Sequence, residues 1–182
     1  MPRPPNVRVP LLKFPDDAMK TLLLLRHAKS ISTEGKFADF DRPLSDRGRE
    51  EARRIGRYIK QQTIQLDFVL SSPAVRARET TESVLQFAEL RSEARYEDRI
   101  YEATPFSLTE VVSQVDDDRK RVLLVGHNPA MEELLGLLTG HPNHMSTAAL
   151  AEIEVETENW NALAESTCKL VWMISAKELS SS

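Results

Sequence analysis

The chain has 182 residues, of which 41% are hydrophobic and 29% charged, with a formal charge of −4 at pH 7. A chain of that length forms one domain able to remove about 70% of its unfolded surface from water, and its composition excludes a disordered or membrane-embedded protein. The acidic balance gives no general attraction to nucleic acid and leaves room only for a local basic site.

Residues 1–18 are broken by prolines at positions 2, 4, 5, 10 and 15 and lack the continuous apolar block of a secretory signal. They read as an extended N-terminal arm, with the domain proper at 19–182 and a cytoplasmic location. No apolar run is long enough to span a bilayer, so no membrane partner is expected. The single Cys168 cannot form an internal disulfide and reads as a structural thiol.

The first strand is expected over 20–26, where four leucines, Leu22 to Leu25, imply burial on both faces. Ser45 is placed to cap a helix over 46–62, with Ala52, Ile55 and Ile59 at helical spacing. The run DFVLSS at 67–72 reads as a second strand, and Ser72-Pro73 as the cap and first residue of a helix reaching Phe87. A short edge strand is expected at 95–101. The sequence Ser107-Leu-Thr-Glu110 reads as a capping box opening a helix to Val115.

RVLLVG at 121–126 is another buried strand, and Pro129 begins a helix that ends near Gly140. Two last strands, 149–156 and 169–175, are joined by a polar loop containing Trp160. No internal repeat is present. Strands alternating with helices predict an α/β fold, a three-layer sandwich whose mostly parallel central sheet carries helices on both faces. Such folds bind ligands outside the carboxyl ends of their strands.

Three strands end alike: the first in Arg26-His27, the second in a segment leading to Arg76, and the 121–126 strand in Gly126-His127-Asn128-Pro129. In a parallel sheet these ends share one rim. Two guanidiniums and two imidazoles brought together there call for an anion, and a phosphoryl group fits, because its oxygens accept forked, charge-assisted hydrogen bonds. The helix after Pro73 can add its positive end. His27, with one ring nitrogen tied to a nearby backbone carbonyl, is the candidate nucleophile, and His127 the candidate donor to phosphoryl oxygens. Gly126 is expected to let the backbone approach the anion.

Each feature has a plainer reading when taken alone. An Arg-His pair at a strand end is more often a surface ion pair, and Asn128 is by default a cap for the following helix. The run Arg47, Arg49, Arg53, Arg54, Arg57 and Lys60 reads as a solvated helix face, with partner docking as a minor alternative. Joint placement at three strand ends is what accident does not explain.

The blocks LLLLRHAKS, DFDRPLSDRGREEA, LSSPAVRARETTE and LLVGHNPAMEELL resemble those of the histidine phosphatase superfamily, and the RHAKS and DRPLS forms are similar to its SixA-type phosphohistidine phosphatase branch. The resemblance spans residues 19 to 175. It implies a phosphohistidine intermediate on His27, a phosphate pocket completed by Arg26, Arg76 and His127, and no metal or other cofactor. The acid-bearing branches of the family begin RHG followed by a glutamate, whereas this chain has RHA-Lys29-Ser30.

That departure bears on substrate, because a protonated phosphoimidazole expels neutral imidazole with little help from an acid, whereas an alkoxide needs one. Glu102, in RIYEATPF, is the candidate acid, with a solvated loop glutamate as its equal alternative. The expected activity is metal-independent removal of phosphoryl groups from phosphohistidine on a protein such as a phosphotransfer domain, as in signal transduction. The alternatives are a phosphomonoesterase acting on a small phosphate ester or a phosphoserine-type ester, and a silent phosphate-binding module. The few residues between the second strand and Gly126 leave no room for a large inserted lid, which favours a side chain presented by another protein.

Overall fold

The computed structural model describes residues 19–32 and 37–181. The N-terminal arm expected at residues 1–18 lies outside the described residues. Six strands form one sheet: β1 (Met19–Arg26), β2 (Phe68–Ser71), β3 (Glu93–Tyr96), β4 (Arg121–Gly126), β5 (Ala149–Glu156) and β6 (Thr167–Ser175). Their order is β3-β2-β4-β1-β5-β6. The contacts of β2 with β3, β2 with β4 and β1 with β4 are parallel, while β5 runs antiparallel to both β1 and β6.

The leucine run of β1 is buried on both faces, as its composition demands. Leu22 and Leu24 enter a core with Leu108, Val112, Met131 and Leu134, while Leu23 and Leu25 enter another with Ala52, Ile55, Ile59 and Val84. The first set comes from α3 (Pro105–Ser113) and α4 (Ala130–Thr139), the second from α1 (Asp46–Gln61) and α2 (Val75–Ala88). Two helices therefore cover each face, giving three layers. All four leucines are fully buried, each worth about 1.5–3 kcal/mol relative to exposure.

Helix α1 starts where its sequence says it should. Ser45 Oγ accepts from the Gly48 N–H at 3.1 Å, and the buried positions Ala52, Ile55 and Ile59 recur at helical spacing. Gly48 is required by contact: a Cβ there would lie 1.9 Å from the Lys29 carbonyl oxygen. The basic residues of this helix are ion-paired, Arg47 with the buried Glu51, Arg49 with Asp46 and Glu79, Arg53, Arg54 and Arg57 with Glu50, and Lys60 with Glu89.

Local details depart from expectation at several turns. Helix α2 begins at Val75 with Ala74 as its cap residue, so Ser72-Pro73 lies outside it; Ser72 Oγ accepts instead from the Ala74 N–H at 3.3 Å. Helix α3 is capped by Thr104, with Ser107 as the reciprocal partner three residues on. A capping box is present there, but one turn earlier than the Ser107-to-Glu110 pattern suggested, because Pro105 is better suited to the first helical turn. The edge strand β3 ends at Tyr96, and the rest of the expected 95–101 stretch turns into a short 3-10 helix over Asp98–Ile100.

Trp160, expected in a polar loop, is fully buried at the start of a 3-10 helix over Trp160–Glu165. Its indole N–H donates to the Arg119 carbonyl at 2.7 Å, and the Lys20 ammonium lies 5.2 Å from its ring. Cys168, on β6, is half-buried, and desolvation pushes its thiol up to about 11, which fits the structural reading. No helix among the described residues is long and apolar enough to cross a membrane.

Candidate active site

Sheet register brings the three strand ends together. Arg26 pairs with Gly126 across β1 and β4, and Ser71 pairs with Val125 across β2 and β4. The turns continue the ladder: the His27 N–H donates to the Gly126 carbonyl at 3.0 Å, and the Ser72 N–H to the Val125 carbonyl at 3.0 Å. Arg26, His27, Arg76 and His127 thus line one pocket of about 440 Å³, together with Lys29, Ser30, Asp39, Arg42, Tyr101 and Glu102. All five residues singled out by sequence meet there.

His27 Nδ1 donates to the Ala28 carbonyl at 2.8 Å. A carbonyl only accepts, so this bond places the ring proton on Nδ1 and leaves Nε2 with its lone pair. Burial lowers the His27 pKa to about 4, and the Arg76, Arg26 and Arg42 charges push in the same direction. The imidazole is therefore neutral at pH 7, the state a nucleophile needs.

The His127 ring lies with its centroid 4.9 Å from that of His27. Its Nε2 is 2.8 Å from Ser72 Oγ. Ser72 Oγ also accepts from the Ala74 N–H and has a second lone pair and a proton for the ring, so the direction of the His127 contact follows the tautomer. Nδ1 is buried without a hydrogen-bond partner in the protein. Desolvation, then His27 and Arg76, lower the His127 pKa to about 3.

The two arginines are held differently. Arg26 Nη1 donates to the Met145 carbonyl at 2.8 Å, while its Nε is buried and unpartnered; burial is the largest cause lowering its pKa. Arg76, in the first turn of α2, bonds Asp39 twice, Nη2 to the carboxylate at 2.9 Å and Nη1 to the backbone carbonyl. The positive end of α2 is partly occupied by protein, because the Val75 N–H donates to the Phe40 carbonyl at 3.0 Å.

One expectation about the 126–129 turn needs correction, and Gly126 within it packs against the core. A Cβ on Gly126 would lie 2.8 Å from Met131 Sδ and 3.4 Å from Ile100. Close packing against Met131 therefore favours glycine at this position. Asn128 does not cap α4, whose cap residue is Pro129 without a side-chain cap bond. Its amide instead donates to Glu132 at 2.7 Å and to the Met145 carbonyl at 3.0 Å, tying α4 to the loop that holds Arg26.

Sequence reasoning singled out neither Asp39, Arg42 nor Tyr101. Arg42 donates to Asp39 Oδ1 at 2.8 Å, to Ser30 Oγ at 2.9 Å and to the Ile31 carbonyl. The Tyr101 hydroxyl donates to Asp39 Oδ2 at 3.0 Å. Asp39 and Arg42 lie inside the DFDRPLSDRG block, which was the available signal; Tyr101 had none. Glu102 is exposed at the pocket, with φ of 52°, a left-handed conformation uncommon for a residue with a side chain. No three His, Cys, Asp or Glu side chains among the described residues group as ligands for a metal ion.

A family model described as "Histidine phosphatase superfamily (branch 1)" matches residues 22–105. That segment carries the β1 turn, the Asp39 loop and Arg76. The phosphohistidine phosphatase SixA of Escherichia coli is 30% identical over 151 residues, covering 76% of this chain and 91% of that protein. An uncharacterized protein of Mycobacterium tuberculosis is 38% identical over 128 residues, covering 70% and 77% of the two chains. A solved SixA-type structure from Nakamurella multipartitia superposes with a TM-score of 0.77 at 24% identity, over 86% of this chain and 95% of that one. The chain belongs to the histidine phosphatase superfamily. Within that superfamily it is of the SixA type, the branch its RHAKS and DRPLS blocks resemble.

Proposed function

We propose that the protein is a phosphohistidine phosphatase that takes the phosphoryl group onto His27 and passes it to water. The observation that carries this reading is the His27 imidazole, held neutral with Nδ1 bound to a carbonyl and Nε2 free, in a pocket walled by Arg26, Arg76 and His127. In-line attack by Nε2 places three phosphoryl oxygens among guanidinium and imidazole donors, where positioning and fixed charge supply most of the rate. A bound phosphoryl dianion favours protonation of His127, which then acts as donor. The site's positive charge comes from arginine, so turnover is expected to persist in the presence of chelators.

The choice of a P–N bond rests on the carboxyl groups of the pocket. Asp39 is pushed down to about 2, first by the Arg42 hydrogen bond and then by Tyr101 and Arg76, so it holds no proton to give at pH 7. Glu102 is the remaining carboxyl of the lining and is exposed. Such a site suits an imidazole leaving group, which needs no acid. Its open rim suits a phosphohistidine carried by another protein, and the E. coli relative is a phosphohistidine phosphatase by name.

The second reading, a phosphomonoesterase, is favoured by the placement of Glu102 at the pocket. Parallel assays with phosphohistidine protein, free phosphohistidine and alkyl and aryl phosphates test both. Phosphohistidine should be preferred, and an acid-labile, base-stable phosphoenzyme should map to His27. Glu102→Gln should leave phosphohistidine turnover nearly unchanged. A fall of roughly a hundredfold with alkyl phosphate, the usual worth of general acid catalysis, would make Glu102 the acid of an esterase.

A further inference from the structure

Among the described residues, Asp39 is the one carboxylate bonded directly to a guanidinium of the phosphate pocket. Its Oδ2 accepts from Arg76 Nη2 at 2.9 Å and from the Tyr101 hydroxyl at 3.0 Å, and its Oδ1 accepts from Arg42 at 2.8 Å. The loop that carries it is fixed on both sides. The Phe40 carbonyl accepts from Val75 at the start of α2, and the Phe40 ring meets Tyr101 edge-on, with centroids 5.1 Å apart. Arg76 is almost completely buried, while the Asp39 side chain is 50% exposed. The negative charge therefore stands on the outer side of the arginine, where the leaving group of a bound phosphoryl donor must extend.

A fixed anion in a pocket for anions opposes binding. It repels the phosphoryl dianion, and it repels more strongly a leaving group that becomes negative, such as an alkoxide or phenolate. The sign reverses for a leaving group that enters with a positive charge. We propose that Asp39 is a specificity-determining residue which selects N-phosphoryl donors with a cationic leaving group, such as a protonated phosphoimidazole, over phosphate esters. The proposal rests on the phosphatase reading given above and adds the reason for its substrate class.

The step balances without a proton transfer. A bond forms between His27 Nε2 and phosphorus as the substrate's P–N bond breaks, and the electron pair of that bond returns to the substrate nitrogen. The ring that entered with a proton on its distal nitrogen leaves as neutral imidazole with that proton still in place. Asp39 acts only by its charge, raising the fraction of bound ring that is protonated. Among the described residues, the other charged groups lining the mouth beside Arg26 and Arg76 are Lys29 and Glu102, of opposite sign to one another and both exposed, and Arg42, which Asp39 already pairs. None of the first two is bonded to Arg76.

The same contacts would serve a residue that merely props Arg76, and charge separates the two roles. Asp39→Asn keeps an oxygen for the arginines and removes the charge; Asp39→Glu keeps the charge. Full-length wild type and both variants, matched by thermal melting, are to be assayed with free phosphohistidine and phenyl phosphate across pH. In Asp39→Asn the ratio of kcat/KM for phosphohistidine over phenyl phosphate should fall by about tenfold, and the alkaline limb for phosphohistidine should move down by about one pH unit, the low end of the effect of an adjacent opposite charge. Inhibition by inorganic phosphate should tighten. Asp39→Glu should recover most of the ratio.

Equal losses on both substrates with weaker phosphate inhibition, or an unchanged ratio, would overturn the proposal and leave Asp39 as a prop. Wild-type protein that cleaves phenyl phosphate and ignores phosphohistidine would overturn the function reading instead. Asp39 is then judged by competition alone: the affinity for phosphoramidate relative to phosphate should drop in Asp39→Asn, and an unchanged ratio rejects it.

Discussion

Strand β1 carries a cation near each end, Lys20 buried and Arg26 half-buried, and the two are treated in opposite ways. At its start, Lys20 donates to the Asp117 carbonyl at 2.7 Å, faces the Asp117 carboxylate at 3.9 Å and lies against the Trp160 ring. At its finish, among the described residues, Arg26 has one carbonyl partner and a buried Nε with none, and the charges of Glu132 and Glu51 act on it without an ion-pair contact. Where the strand's charge serves the fold, the chain provides the opposite charge in contact. Where we propose that it serves chemistry, at Arg26, no carboxylate among the described residues is bonded to it, which leaves the opposite charge to a substrate.

The largest effect that tests this contrast is at the open end. His27→Ala should abolish turnover while leaving the thermal midpoint near wild type, because the side chain contributes a reactive nitrogen and little core volume; residual turnover at a comparable rate would refute the assignment. At the closed end Trp160→Ala should cost about 3–5 kcal/mol of stability, measured by urea unfolding. Phosphate affinity of the protein that remains folded should not change.

Arg76→Ala or Arg26→Ala should each lower kcat by about 10²–10³, the worth of one fixed donor at a developing oxyanion. Full activity in either would mean that the strand-end geometry does not serve the reaction. Replacing the paired cation should matter less: Lys20→Met should change stability by no more than about 1–3 kcal/mol, in either direction, and leave kinetics alone.

The smallest effect concerns protons. His27 and His127 have folded pKa values near 4 and 3, below the usual 6.5. Between pH 6.5 and 4 the unfolded chain therefore binds more protons than the folded one, so stability falls as pH is lowered through that window and is unaffected by these groups at pH 7. Urea midpoints at pH 7 and pH 5 should show a smaller loss on acidification for His27→Gln than for wild type. An equal loss would mean that His27 is not held neutral by its surroundings.

The leucine run was legible because only a strand buried on both faces accommodates it, and its abrupt end at Arg26-His27 was legible as a site for the same reason. Parallel order then carried Arg76 and His127 to the same rim. Asp39 and Tyr101 escaped because nothing in a loop's own sequence says which guanidinium it will cross. The cap of α2 was misplaced because Ser-Pro is a good helix start in isolation, whereas here the Ser72 hydroxyl is held by Ala74 and His127. The packing of Met131 behind Gly126 is a long-range contact that no local pattern announces.

Strand β5 also has a bearing on how the protein is made. The residues we propose to react all precede His127 or include it, yet the strand that covers the second edge of β1 begins only at Ala149. Until then the four leucines offer an open row of backbone donors and acceptors, the template on which extended chains add to one another. A product truncated before Ala149 should therefore form insoluble aggregates even though it contains every side chain we propose as catalytic, and coexpression of the missing C-terminal hairpin should return it to the soluble fraction.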